Sequence, residues 1–249
     1  MRLHYLQHIE LESPGSILHW AESHGHSVTR TLFSAGESLP DQTDFDWLVI
    51  MGGPMNIYEE EHYPWLSAEK AFIREAIDLA KPVLGICLGS QLIADVIGGR
   101  VTANPLPEIG WWPIVWTEDA QTNPLFSHFP ATSVVFHWHY DTFSVLPPDA
   151  KILAASTACR QQAFSYRDHV FGFQFHLENT DELLKGYIEA SPEVLSGGEY
   201  IQLPDEILAH PDDVTANQAW MDTFLSRLEE KFASKDKDQE GERDGACRL

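Results

Sequence analysis

Basic residues are scarce in this sequence: 16 Lys and Arg stand against 38 Asp and Glu, for a formal net charge of −22. Affinity for a phosphate backbone comes from clustered Lys and Arg, and no such cluster occurs, so nucleic acid is excluded as a partner and a direct nucleotide-binding role is disfavoured. A strongly acidic surface also slows encounter with anionic substrates. Cysteine is sparse as well. The three present, Cys87, Cys159 and Cys247, are an odd number in a chain of 249 residues, give no disulfide framework and fit a reducing cytoplasm. No window approaches about 18 uninterrupted apolar residues, and Met1–Ile9 lacks the apolar core of a secretory signal. The expectation is therefore a non-secreted cytoplasmic protein with no membrane partner. Internal repeats are also missing, and 43% hydrophobic residues suffice for one globular core.

Strand and helix patterns alternate as an α/β fold requires, with a mostly parallel central sheet and helices on both faces. Strands are expected at 2–7, 27–33, 46–51, 83–86, 132–137, 151–156, 164–166 and 170–175. An antiparallel excursion is expected at 100–103 and 111–116. Helices are expected at 16–23, 66–80, where Leu66, Ile73, Ala76, Ile77 and Ala80 share a side, and from Ser90 to Ile97. After Glu178 the pattern turns helical (181–190, 203–209, 215–232), in segments that pack against the sheet or cover the site. The expected organisation is one domain over 1–233, of which 191–233 is the helical C-terminal part, followed by a charged, disordered tail at 234–249.

Three segments carry chemistry. In Gly85-Ile86-Cys87-Leu88-Gly89-Ser90-Gln91 a short buried strand hands over to a helix at a cysteine, the form of a nucleophile elbow with Cys in place of Ser. A helix N-terminus stabilises a thiolate, although an ordinary buried cysteine is an equally simple reading of this run alone. Downstream, Phe171, Phe173 and Phe175 alternate as in a strand, placing His176 at its end with Glu178 two residues on, on the same face. A thiol, a base and a carboxylate that orients the base form a complete relay. Finally, the apolar run 45–51 ends in Gly52-Gly53-Pro54, a turn that exposes backbone amides. With the N–H of Leu88, that of Gly53 suits an oxyanion hole, while a plain strand-ending turn explains an isolated Gly-Gly-Pro equally well.

A different chemistry is offered by His137-Trp138-His139-Tyr140-Asp141, because His-x-His-x-Asp opens a metallo-hydrolase zinc motif. Such motifs continue with a further histidine, where this sequence has Thr142, and the elbow cysteine has no role in them.

The turn, the elbow and the Gln174-Phe175-His176-Leu177-Glu178 strand, in this order, resemble the class I (triad) glutamine amidotransferase family, and within it the amidotransferase domain of GMP synthase. The resemblance extends in weaker form over residues 1 to 190. It implies a flavodoxin-like fold in which Cys87 attacks the side-chain amide of L-glutamine, His176 moves the proton, Glu178 orients His176, and Gly53 and Leu88 hold the oxyanion. Gln91 matches the glutamine-contacting position. The stretch at Trp138, His139 and Asp141 matches a pocket segment that often reads His-Gly-Asp, so these residues and Gly52 are expected to contact substrate. Glu108-Ile109-Gly110-Trp111 stands where relatives carry a short loop. Tyr140 replaces a glycine, and Leu177 stands where proline is commonest. No cofactor or metal is implied. No synthetase domain follows in this sequence, so ammonia would go to an acceptor subunit in trans, and a homo-oligomer is left open. Two other readings keep the same fold: a γ-glutamyl amide or peptide hydrolase with the same triad, and a non-enzymatic binding module.

Overall fold

The computed structural model describes the backbone of residues 1–246 and the side chains of residues 1–233. Its strands are β1 (Arg2–Gln7), β2 (Ser27–Leu32), β3 (Trp47–Ile50), β4 (Val83–Ile86), β5 (Arg100–Trp116), β6 (Thr132–Val145), β7 (Ala150–Ala155), β8 (Ala163–Tyr166) and β9 (Val170–Phe173). The helices are α1 (Ser16–Ser23), α2 (Trp65–Asp78), α3 (Leu88–Val96), α4 (Glu118–Thr122), α5 (Asp181–Ala190), α6 (Pro204–Ile207) and α7 (Pro211–Ala246). α7 continues past 233, where the sequence reading places the start of a disordered tail. The side chains from 234 onward and all of 247–249 lie outside the described residues.

All the strands form one mixed α/β sheet in the order β2-β1-β3-β4-β9-β8-β7-β5-β6. The first five run parallel, and from β9 outward every pairing is antiparallel. The parallel half reads as continuous apolar runs because both of its faces are covered. Alternation sorts these runs: Leu3, Trp47, Val49, Leu84 and Ile86 pack with α1 and α7 through Trp20, Phe224 and Leu225, whereas Leu6, Leu48, Ile50 and Val83 pack with α2 and α3 through Ile73, Ile77, Leu92 and Ile93. A third apolar cluster, including Ile109, Trp111, Phe136, Leu184 and Ile207, seats α5 and α6 beside the β5–β6 ribbon.

Two sequence expectations are corrected here. The strands expected at 100–103 and 111–116 are one strand, and 108–111 is not a loop. The register with β6 shifts between Ala103 and Glu108, so Pro105 and Pro107 fall where ladder hydrogen bonds are interrupted anyway. β6, in turn, runs on through His139 and Asp141 to Val145 instead of stopping at His137.

The elbow's glycines are required by close backbone approach. A Cβ on Gly89 would lie 2.1 Å from the Ile50 carbonyl oxygen, and one on Gly85 would lie 2.5 Å from the Gly89 carbonyl. Strand, turn and helix thus touch main chain to main chain, and the contact oxygen at Ile50 has no rotamer with which to move away. Gly89→Ala is expected to cost about 1–3 kcal/mol, the scale of an overpacked core. Urea denaturation measures it as a lowered midpoint, and an unchanged midpoint would show that β3 and α3 separate freely.

Candidate active site

The loops leaving the carboxyl ends of β1, β3, β4 and β9 line one cavity of about 530 Å³, where open parallel sheets place their ligands. Cys87 lies at its floor. It has φ 50° and ψ −110°, a left-handed backbone conformation rarely taken by a residue with a side chain. Its N–H donates to the Phe173 carbonyl at 2.8 Å, which locks the turn to β9. The residue is 9% exposed, with Sγ 3.7 Å from the Trp138 carbonyl oxygen and 3.8 Å from Gln174 Nε2.

His176 follows β9, and its N–H donates to the Phe136 carbonyl at 2.8 Å. The ring's Nδ1 lies 2.7 Å from Glu178 Oε1, with both side chains buried. Burial disfavours a charge on this ring. The Glu178 carboxylate and the Cys87 side chain outweigh it, and the His176 pKa is raised well above that of a free histidine. Cys87, from the elbow motif, and His176 and Glu178, from the downstream strand motif, are brought into one group. A further tie comes from Ser16, whose N–H donates to the Glu178 carbonyl at 2.9 Å.

The Gly-Gly-Pro turn is braced by residues that the sequence reading did not single out. The Gly52 carbonyl accepts from His8 Nδ1 at 2.8 Å, and His8 Nε2 lies 3.0 Å from Glu69 Oε1, with both side chains fully buried. Burial opposes a charge on His8, but Glu69 and the Gly52 carbonyl prevail and raise its pKa. Gly53 then sits against the elbow: a Cβ there would be 2.8 Å from Leu88 Cδ2. Leu88 begins α3, so its N–H has no carbonyl one turn back to accept it.

The expected substrate contacts divide. Gln91, Trp138 and Asp141 line the cavity, but Gln91 Nε2 is committed to the Asp141 carbonyl and Gln174 Oε1, both at 3.1 Å. Asp141 Oδ2 accepts from Asn56 Nδ2 at 2.7 Å. His139 turns its ring into the protein, where Nδ1 meets the Asp141 carbonyl and Nε2 meets Glu108 Oε2, both at 3.1 Å. Only near its backbone is it placed to meet a ligand. Gln174, quoted in the motif but given no role, bridges Gln91 and Cys87.

In the zinc-like run the His139 ring meets the Glu108 carboxylate, while the Asp141 carboxylate accepts from Asn56. Ligand atoms of Glu108, His137 and His139 lie within 4.8 Å of one another. Glu108 is nevertheless already occupied, with Oε1 accepting from Ser156 at 2.7 Å and Oε2 from Gln162 at 2.7 Å besides His139. Burial lowers the His137 pKa to about 4. Glu108 and His139 already commit their carboxylate oxygens and ring nitrogens to hydrogen bonds, while His137 Nδ1 has no partner among the described residues.

Glu12 was also missed. It lines the cavity from the loop after β1, and its Oε2 accepts from the Tyr187 hydroxyl at 3.2 Å. A Cβ on Gly52 would lie 2.6 Å from that oxygen and 3.5 Å from His176 Cε1. The available signal was positional, since Glu12 lies in the loop at the carboxyl end of a parallel strand.

The family model for class-I glutamine amidotransferases matches residues 15–189. The chain is 40% identical over 235 residues to the glutamine amidotransferase-like protein YfeJ of Salmonella typhimurium, covering 92% of this chain and 97% of that one. It is 35% identical over 148 residues to the GMP synthase of Aeropyrum pernix, which spans 59% of this chain but 26% of that longer enzyme. A crystal structure of a glutamine amidotransferase from Thermotoga maritima matches with a TM-score of 0.83 at 32% identity, over 92% of this chain and 97% of the other. Among the described residues, no helix is long and apolar enough to cross a membrane. Matched by the family model through the elbow and the His176 strand, and by a relative along nearly its whole length, the chain belongs to the class-I glutamine amidotransferase family.

Proposed function

We propose that this chain hydrolyses the side-chain amide of L-glutamine through a thioester on Cys87, releasing glutamate and ammonia for an acceptor on another chain. The observation that carries this reading is the strained elbow cysteine facing a buried histidine whose other nitrogen is 2.7 Å from a carboxylate. Cys87 Sγ adds to the amide carbon, and the N–H groups of Gly53 and Leu88 receive the developing oxyanion. As the C–N bond breaks, His176 passes its proton to the departing nitrogen. Water then attacks the thioester with His176 as base. The C–S bond breaks, glutamate leaves, and the proton returns to the Cys87–His176 pair. Glu178 holds the ring's orientation and favours its charged form. His8 and Glu69 act at one remove by fixing Gly52, and Asn56 and Gln91 fix Asp141.

Incubation with an electrophilic glutamine analogue, followed by peptide mass spectrometry, tests the nucleophile without requiring turnover. The expected result is a stoichiometric adduct on Cys87, blocked by excess glutamine and lost in Cys87→Ser. Cys159 serves as the internal control, because burial raises its pKa and keeps it in the thiol form. A Cys87 that reacts with iodoacetamide but not with the analogue would remove the glutamine site.

The raised pKa of His176 sets a pH dependence. A group with a raised pKa keeps its proton to higher pH, so the imidazolium form persists above the free histidine value of 6.5 and disappears as pH rises through the higher, folded value. The alkaline limb of kcat/KM is expected to lie well above pH 6.5 and to move down in Glu178→Gln, with activity reduced. An unshifted limb in that variant would take Glu178 out of the relay.

A further inference from the structure

Glu12, Glu59 and Asp141 line the cavity together with His176, and no Lys or Arg does. Two of these carboxylates are tied to Asn56: Asp141 Oδ2 accepts from the side-chain amide at 2.7 Å, and Glu59 Oε2 accepts from the backbone N–H at 2.9 Å. Glu12 is different. One of its oxygens takes the Tyr187 hydroxyl, while the other has no hydrogen-bond partner among the described residues and is not sealed from the cavity. Burial pushes the Glu12 pKa up, with His176 opposing and Glu178 adding to the effect. A cationic donor from the cavity side would favour its charged form.

Its position says which part of a substrate would supply the donor. Glu12 and His176 Cε1 both lie against Gly52, so the carboxylate borders the ring that must protonate the departing nitrogen. Because His176 must reach the departing nitrogen, the wall beside it is the one that meets the leaving group. A cavity of about 530 Å³ also lies in the range that holds ligands larger than one amino acid. The chain's net charge of −22 favours encounter with cations.

We propose that Glu12, held by Tyr187 beside His176, determines leaving-group specificity, and that it selects γ-glutamyl amides whose departing amine carries a further ammonium group. This rests on the thioester reading and concerns the half of the substrate which that reading leaves unassigned. The amide C–N bond breaks as the Cys87 thioester forms, the His176 proton goes to the departing nitrogen, and the amine's second, already charged nitrogen stays paired with Glu12. Glutamine, which releases only ammonia, uses the same acyl site without that pairing.

Three γ-glutamyl amides of matched length provide the test: those of propylamine, 1,3-diaminopropane and β-alanine, with a neutral, a cationic and an anionic end. The diamine amide is expected to exceed the propylamide in kcat/KM by about tenfold, with the β-alanine amide lowest. Glu12→Gln should erase the diamine's advantage, and Glu12→Asp should keep part of it. Where turnover is slow, the same ranking is read as protection of Cys87 from the electrophilic glutamine analogue. Equal values for the three amides, or a preference that survives Glu12→Gln, would overturn the proposal. Labelling in the same preparation separates the two layers. An unlabelled Cys87 overturns the thioester reading beneath, whereas a labelled Cys87 with a flat series overturns only the role of Glu12.

Discussion

A main-chain contact holds the site together. Because Gly89 meets the Ile50 carbonyl and Gly85 meets the Gly89 carbonyl, α3 starts within touching distance of β3 and β4. The chain can then reverse from strand to helix in one residue, and that residue, Cys87, is forced to φ 50°. A side chain placed this way lines the cavity at the carboxyl end of β4. Its N–H is taken by Phe173, so the same turn also sets how far β9 lies from the cysteine and where His176 emerges. Strain of this kind costs on the order of 1–3 kcal/mol and persists only where its surroundings over-determine it. Here they do, through β3, β4, β9 and α3 together.

Around that turn, the protein handles buried charge with histidine rather than with Lys or Arg. His8–Glu69, His139–Glu108 and His176–Glu178 are three pairs with separations of 2.7–3.1 Å and with side chains at most 3% exposed. Removing one partner of such a pair leaves an uncompensated group in a dry interior, so each pair holds its ring in a single orientation. The three rings have different tasks. His8 braces the Gly52 carbonyl, His139 braces the chain at Asp141, and His176 faces the cysteine. An imidazole can change its proton state near neutrality where guanidinium cannot, which suits the third position best. Glu12 stands outside this scheme, with a hydroxyl for a partner and one oxygen toward the cavity.

The sheet divides the labour. Its parallel half, covered by α1 and α7 on one face and by α2 and α3 on the other, supplies the loops that meet at the cavity. The antiparallel half supplies a wall: β6 carries Trp138 to Asp141 past the cysteine, and β5 brings Glu108 beneath it. Family membership fits this arrangement, and the match to GMP synthase covers only 26% of that enzyme.

Local sequence determined the elements that depend on neighbours along the chain. The parallel strands, the α1, α2 and α5 helices, and the elbow were legible because apolar periodicity and the Gly-x-Cys-x-Gly spacing are short-range signals. Cys87, His176 and Glu178 were legible for a related reason, since each chemical type stood at the end of a recognisable strand. The continuity of β5 was not legible, because Pro105 and Pro107 punctuate the sequence while the bulge that absorbs them exists only opposite β6. Nor were His8, Glu69, Glu12, Tyr187 and the inward turn of His139. Their roles lie in pairings across 31 to 175 residues of chain, and nothing in a local pattern says which carboxylate will meet which ring. The sequence by itself thus determined the parallel strands, the helices α1, α2 and α5 and the placing of a cysteine at the strand-to-helix turn. The tertiary structure decided which buried charges face one another and which carboxylate is left turned toward the ligand, because burial and distance exist only once the sheet has closed.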